Sequence, residues 1–251
     1  MPGTTPPTGE DQAERATREC IEELRTKGAW IDYEALRPPD GSRDIEAVTR
    51  VVREEIPYAW AERYSRLTPH ATNLQRIEVD GFEYIFDEPE ELVRGGTLAA
   101  ADAVQDRLVG AHGRSREEKE GREKSRWRLA GAPRGPAEVV SGGKASYDRG
   151  HTMAHSIGGG LDINLVPQLA SMNRRGAWRR MERHCQEHPG TYVFCGLIYL
   201  GLSGHPAYIE YGVLRPDCSV WLNVFRNYSS MAELEEVERL YRDRPPRPAP
   251  R

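Results

Sequence analysis

Lysine is nearly missing from this sequence. Of 35 basic residues in a chain of 251, only Lys27, Lys119, Lys124 and Lys144 are lysines, and 39 acidic residues leave a net charge of −4. That balance excludes a strongly basic protein that coats nucleic acid through charge alone. Cysteine is scarce as well: Cys20, Cys185, Cys195 and Cys218 show no C-x-x-C spacing. This argues against a zinc ribbon and against a disulfide-dense secreted scaffold. No apolar run is long enough to span a membrane. The opening MPGTTPPTGEDQ has neither the basic start nor the apolar stretch of a secretory signal. The glycines at 158–160 are not followed by G-K-[ST], so they do not form a P-loop. There is no internal repeat. The expectation is a soluble, cytoplasmic protein with reduced thiols and no membrane partner. Export by a route without a cleaved signal stays open, and in that case Cys185 and Cys195 could pair.

What is present is unevenly spread. Residues 1–100 carry 12 Lys and Arg against 21 Asp and Glu, a net of −9; residues 101–251 carry 23 against 18, a net of +5. Residues 1–9 read as a disordered tail. Residues 10–70 read as a helical unit, too small to be stable alone. Its first helix, Glu10 to Lys27, has Ala13, Thr17, Cys20 and Leu24 on one face and Gly28 as its stop. Its second starts from Ser42 as cap, with Ile45, Val48, Val52 and Ile56 at helical spacing. Pro57 is expected to kink or restart it. Leu74 to Phe86 alternates around Asp80-Gly81, a two-residue hairpin signal. Thr97 to Leu108 reads as a helix. Gly113 to Arg128 reads mainly as a solvated charged segment, with phosphate contact by Arg126 as its functional alternative. Strands are expected over Thr191–Leu202, Ala207–Leu214 and Val220–Phe225, and residues 228–251 as a short helix, Met231 to Arg242, with a Pro/Arg tail.

The chemistry is concentrated between Tyr147 and Glu182. His151 can act as a general base, because imidazole titrates near neutral pH. Asn164 and Asn173 offer carbonyl oxygens of the kind a hard divalent cation accepts, and Glu182 can hold that cation's waters or ligate it. Arg149, Arg179, Arg180 and Arg183 can clamp phosphate oxygens. A helix is expected from Arg175, with Asn173 at or just before its start as a cap, Trp178, Met181 and Cys185 on one face, and Pro189-Gly190 as its stop. Two other patterns compete. His155 follows His151 by four, and His184-Cys185 with His188 suggests zinc. The first pair lacks the Glu of H-E-x-x-H, so zinc is disfavoured.

The stretch resembles the DNA/RNA non-specific endonuclease family, the ββα-metal or His-Me finger nucleases. The resemblance rests on D-R-G-H at Asp148–His151, the glycines after it, N-x-x-P-Q at Asn164–Gln168, an Asn nine residues further on, and G-x-W-x-x-x-E ending at Glu182. It implies an α+β fold over residues 75–227, with a central antiparallel sheet flanked by helices, behind an N-terminal helical extension. By the resemblance His151 is the general base, Arg149 the motif arginine, Asn164 the support of the active-site geometry, Asn173 the direct ligand of Mg²⁺ (or Mn²⁺), and Glu182 the organiser of its waters. Two departures are visible: one residue is inserted between Asn173 and Gly176, and Gln186 stands where some members carry an arginine. Arg180 or Arg183 would then take over phosphate clamping. The implied activity is hydrolysis of DNA or RNA with little sequence preference, leaving 5′-phosphates. The alternative is an inactive nuclease-like binding module. An active enzyme of this kind endangers its own cell, which points to a toxin or defence role with an inhibitor or immunity protein as partner.

Overall fold

The computed structural model describes residues 9–68, 71–88, 107–117, 147–159, 164–174, 176–201 and 204–242. Five helices lie among them: α1 (Gly9–Thr26), α2 (Ile45–Leu67), α3 (Ala170–Arg174), α4 (Ala177–Glu187) and α5 (Met231–Arg242). One antiparallel sheet has six strands in the order β1 (Leu74–Val79), β2 (Phe82–Asp87), β3 (Arg107–Arg114), β6 (Tyr192–Ile198), β7 (Tyr208–Leu214) and β8 (Val220–Arg226). A separate ribbon pairs β4 (Tyr147–His151) with β5 (Leu165–Leu169). The architecture is α+β.

The central strands of the sheet are covered on both faces. In β6 and β7 every residue is buried, the pattern of an interior strand rather than of one with a solvated side. Alternation along each strand assigns the faces. Gly110, His112, Phe194, Gly196 and Glu210 lie under α2. Trp60 is fully buried against them, and a β-carbon at Gly110 would come within 2.3 Å of its ring, so only glycine fits there. Tyr211 and Phe225 point the other way, where Trp178 of α4 packs at 4.6 and 5.5 Å between ring centres. The long chain passage between β3 and β6 therefore places the ribbon, α3 and α4 on the face opposite α2.

α2 runs through Pro57 without a break. The lost backbone hydrogen bond is offset by Val52, Ile56, Trp60 and Tyr64, all buried on the sheet. Its cap is Asp44, which accepts from the amides of Glu46 and Ala47; Ser42, two residues earlier, accepts from the amide of Asp44. The Asp80-Gly81 hairpin forms with positive φ at both residues, 53° and 73°, as a type I′ turn requires. The helix expected over Thr97–Leu108 is not present at its end: Arg107 and Leu108 open strand β3, and residues 97–106 lie outside the described part. The glycines at 110 and 113 hid this strand, since they interrupt the alternation that would announce it.

α1 covers the outer strand β8. Cys20 and Leu24 are buried beside Val224 and Tyr208, and Glu23 accepts from Arg226 and from the Tyr208 hydroxyl, the latter at 2.7 Å. All four cysteines are free and buried. Burial, then the nearby Glu182 charge, pushes the Cys185 thiol up to about 12, so Cys185 and Cys195 pack as small apolar groups and form no disulfide. Among the described residues no helix is long and apolar enough to cross a membrane.

Candidate active site

The site grows out of the ribbon. β4 and β5 pair from Tyr147↔Leu169 to His151↔Leu165, and α3 packs against both strands. Pro167 lies inside β5, opposite Arg149; a two-stranded ribbon has free edges, which is where a strand tolerates proline. Gly150 has no alternative. A β-carbon there would come within 1.7 Å of Oε1 of Gln168, whose side chain is fully buried.

His151 ends β4 with its ring half-buried. The chain then turns sharply, and Asn164 holds that turn. Its Oδ1 accepts from the amide of Met153 at 2.7 Å and from the Thr152 hydroxyl, and its Nδ2 donates to the carbonyl of Met153. The amide of Thr152 donates to the backbone carbonyl of Asn164 at 3.0 Å. Asn164 is fully buried, and both ends of its carboxamide are occupied by this turn. Its carbonyl is therefore spent on holding the segment after His151 and is not offered outward as a ligand.

Glu182 sits on the second turn of α4 and is 5% exposed. Trp178, four residues earlier, donates its indole N–H to Oε1 at 2.9 Å, and Arg179 forms an ion pair with Oε2. Arg179 thus already has an acidic partner, whereas Arg180 and Arg183 are exposed on the same helix. Asn173 lies within α3, so it is not the cap of the following helix. That position is Gly176, which makes no side-chain capping bond; the short helix α3 precedes it. Arg149 lies in β4 and pairs with Pro167 in the backbone register. Arg126 lies outside the described residues.

Two residues that sequence reasoning passed over contribute here. Asn227 is fully buried, donates to the carbonyls of Pro167 and Pro206 at 2.7 and 2.9 Å, and accepts from the amide of Leu169 at 2.8 Å. It fastens β5 to the end of β8. In sequence it reads only as a polar residue after a strand. Arg116 was absorbed in the charged segment after Gly113. It is exposed, its amide donates to Ile157, and its guanidinium donates to the carbonyl of Gly158 at 3.1 Å, against the loop that follows His151.

Among the described residues no group of three or more His, Cys, Asp or Glu side chains could hold a metal ion. The zinc reading of His184, Cys185 and His188 finds no support: Cys185 is buried against Tyr211 and the two histidines stack on each other at 4.6 Å. A hydrated ion makes a smaller demand on the protein. Magnesium keeps most of its waters and needs only one or two protein oxygens. A carboxylate has about four acceptor positions, so Glu182 retains capacity for water after its bonds to Trp178 and Arg179.

Residues 104–210 match the model of a family described as DNA/RNA non-specific endonuclease. The matched segment contains the whole ribbon, α3 and α4, with His151, Asn164, Asn173 and Glu182, and the sheet strands β3 and β6. No curated protein matches the chain.

Proposed function

We propose that the protein is a metal-dependent endonuclease of the ββα-metal type that hydrolyses phosphodiester bonds in DNA or RNA with little sequence preference. The observation that supports this best is one continuous unit, ribbon then helix, inside the segment that matches the endonuclease family. In it the turn after His151 is locked by Asn164, and a buried carboxylate, Glu182, is held by Trp178 and Arg179.

In this reading His151 takes a proton from water as the oxygen attacks phosphorus, the P–O3′ bond breaks, and the products carry a 5′-phosphate and a 3′-hydroxyl. Asn173 would hold Mg²⁺, or Mn²⁺ in its place, with Glu182 on its waters, and the bound ion would neutralise charge that develops on the phosphate. Asn164 keeps the His151 segment in place. Arg180, Arg183 and Arg149 contact phosphate, and Arg116 joins them from the far side of the loop. Contacts to phosphate rather than to base edges give weak sequence preference. A toxin or defence role, with an inhibitor or immunity protein as partner, follows from the hazard of such an activity to its own cell.

The test is digestion of plasmid DNA and total RNA by the purified chain, with Mg²⁺, with EDTA, and with His151→Ala in parallel. Metal-dependent cleavage that falls about a hundredfold or more in the variant is the expected result. Wild-type cleavage by the variant would remove His151 as the base. Binding of nucleic acid without cleavage under any divalent metal would replace the enzyme with a binding module.

A further inference from the structure

A second polar site lies on the opposite face of the sheet. The first half of α2 and the ends of β1, β2, β3 and β6 enclose a cavity of about 400 Å³. That size is within the range of small-molecule sites. Its floor is a hydrogen-bonded chain. The register of β2 and β3 sets Glu83 opposite His112, with its carboxylate 3.1 Å from Nε2, and the Tyr192 hydroxyl lies 2.9 Å from Nδ1 of the same ring. His112 and Tyr192 are 1% and 3% exposed.

Three arginines and three glutamates line the pocket, but they are unevenly paired. Glu83 is taken by His112 and by Arg76 at 2.6 Å, and Glu46 is taken by Arg114 at 2.6 Å. Arg50 and Arg53, nearly one turn apart on α2, line the cavity and make no ion pair among the described residues. Glu78 is the one lining carboxylate in the same condition, so two uncommitted guanidinium groups face one carboxylate. Guanidinium groups match phosphate oxygens in geometry as well as charge.

We propose that this cavity binds a phosphate monoester of mononucleotide size, its phosphate held by Arg50 and Arg53 and its body seated toward His112 and Tyr192. The site is separate from the ribbon and does not depend on the nuclease reading. Calorimetric titration of the full chain at low salt with inorganic phosphate and with 5′-AMP tests it. Saturable binding of one 5′-AMP per chain is expected, tighter than inorganic phosphate. It should weaken about tenfold or more in Arg50→Gln/Arg53→Gln and stay unchanged in His151→Ala. Both arginines are exposed on α2, so the double variant should melt with the parent. No saturable binding, equal affinity for inorganic phosphate, indifference to the double variant, or loss in His151→Ala would each overturn the assignment. None of these readouts uses cleavage, so failure here is distinguishable from failure of the proposed activity.

Discussion

Arg63 on α2 and Glu210 on β7 form an ion pair at 2.8 Å, with side chains 3% and 0% exposed. They lie 147 residues apart in sequence. Tyr33 donates its hydroxyl proton to the same carboxylate at 2.5 Å and receives the Trp60 indole N–H at 2.8 Å. Removing one partner strands a buried charge, which costs about 3–5 kcal/mol. Arg63→Met should therefore lower the urea midpoint sharply, and Arg63→Met/Glu210→Leu should recover most of the loss. The same contact bears on the N-terminal unit. Deletion of residues 1–70 strips the partners of Glu210 and uncovers the sheet, so the expected result is loss of the cooperative unfolding transition rather than a more active enzyme.

Glu83 gives the fold an acid-sensitive point. The His112 hydrogen bond, opposed by desolvation and assisted by Arg76, holds its carboxyl down at about 2, against an ordinary 4.5. A carboxyl lowered on folding contributes its full stability above the unfolded value and loses it as pH falls toward the folded one. Wild type should exceed Glu83→Gln in urea resistance near neutral pH, and the gap should close between about pH 4.5 and pH 2. A gap that widens on acidification would contradict the assignment.

Gly150 and Gln168 are diagonal neighbours across the ribbon, with the Gln168 side chain against Gly150. Gly150→Ala drives a methyl into a buried amide and should cost about 1–3 kcal/mol. The Gln168 amide makes no hydrogen bond among the described residues, so Gln168→Ala in the same chain should relieve the clash without breaking a polar contact. Thermal melting of the two single variants and the double variant reads the coupling; additive effects would show that the two residues are independent.

The elements most legible in the sequence were those whose local signals and burial agree. Met231–Arg242 forms the helix its spacing predicts, and Asp80-Gly81 makes its hairpin because Asp-Gly is one of the few pairs that accept positive φ at both positions. Trp178, Met181 and Cys185 line the buried face of α4 as their steps of three and four require. The misreadings share a cause: tertiary contacts overrode a local signal. Of the kink or restart expected at Pro57, the restart does not occur, because the sheet holds the turns on either side of it. Strand β3 was missed because its glycines are selected by Trp60 and by the hairpin above, which the sequence does not display. Within the site, the order of His151, Asn164, Asn173 and Glu182 was readable as a motif. Asn227 was not, because its partners are backbone groups, which carry no side-chain signature.

Asn227 also has a consequence for when the site exists. Its carboxamide reaches back 60 residues to Pro167, so the ribbon emerges from the ribosome before its fastening does. Until the chain has been synthesised through β8, β5 lacks the bonds that Asn227 makes to Pro167 and Leu169. The order of synthesis thus acts as a delay. A nascent chain can bear every residue of the motif before the residue that follows the last strand of the sheet ties down the second strand of the ribbon.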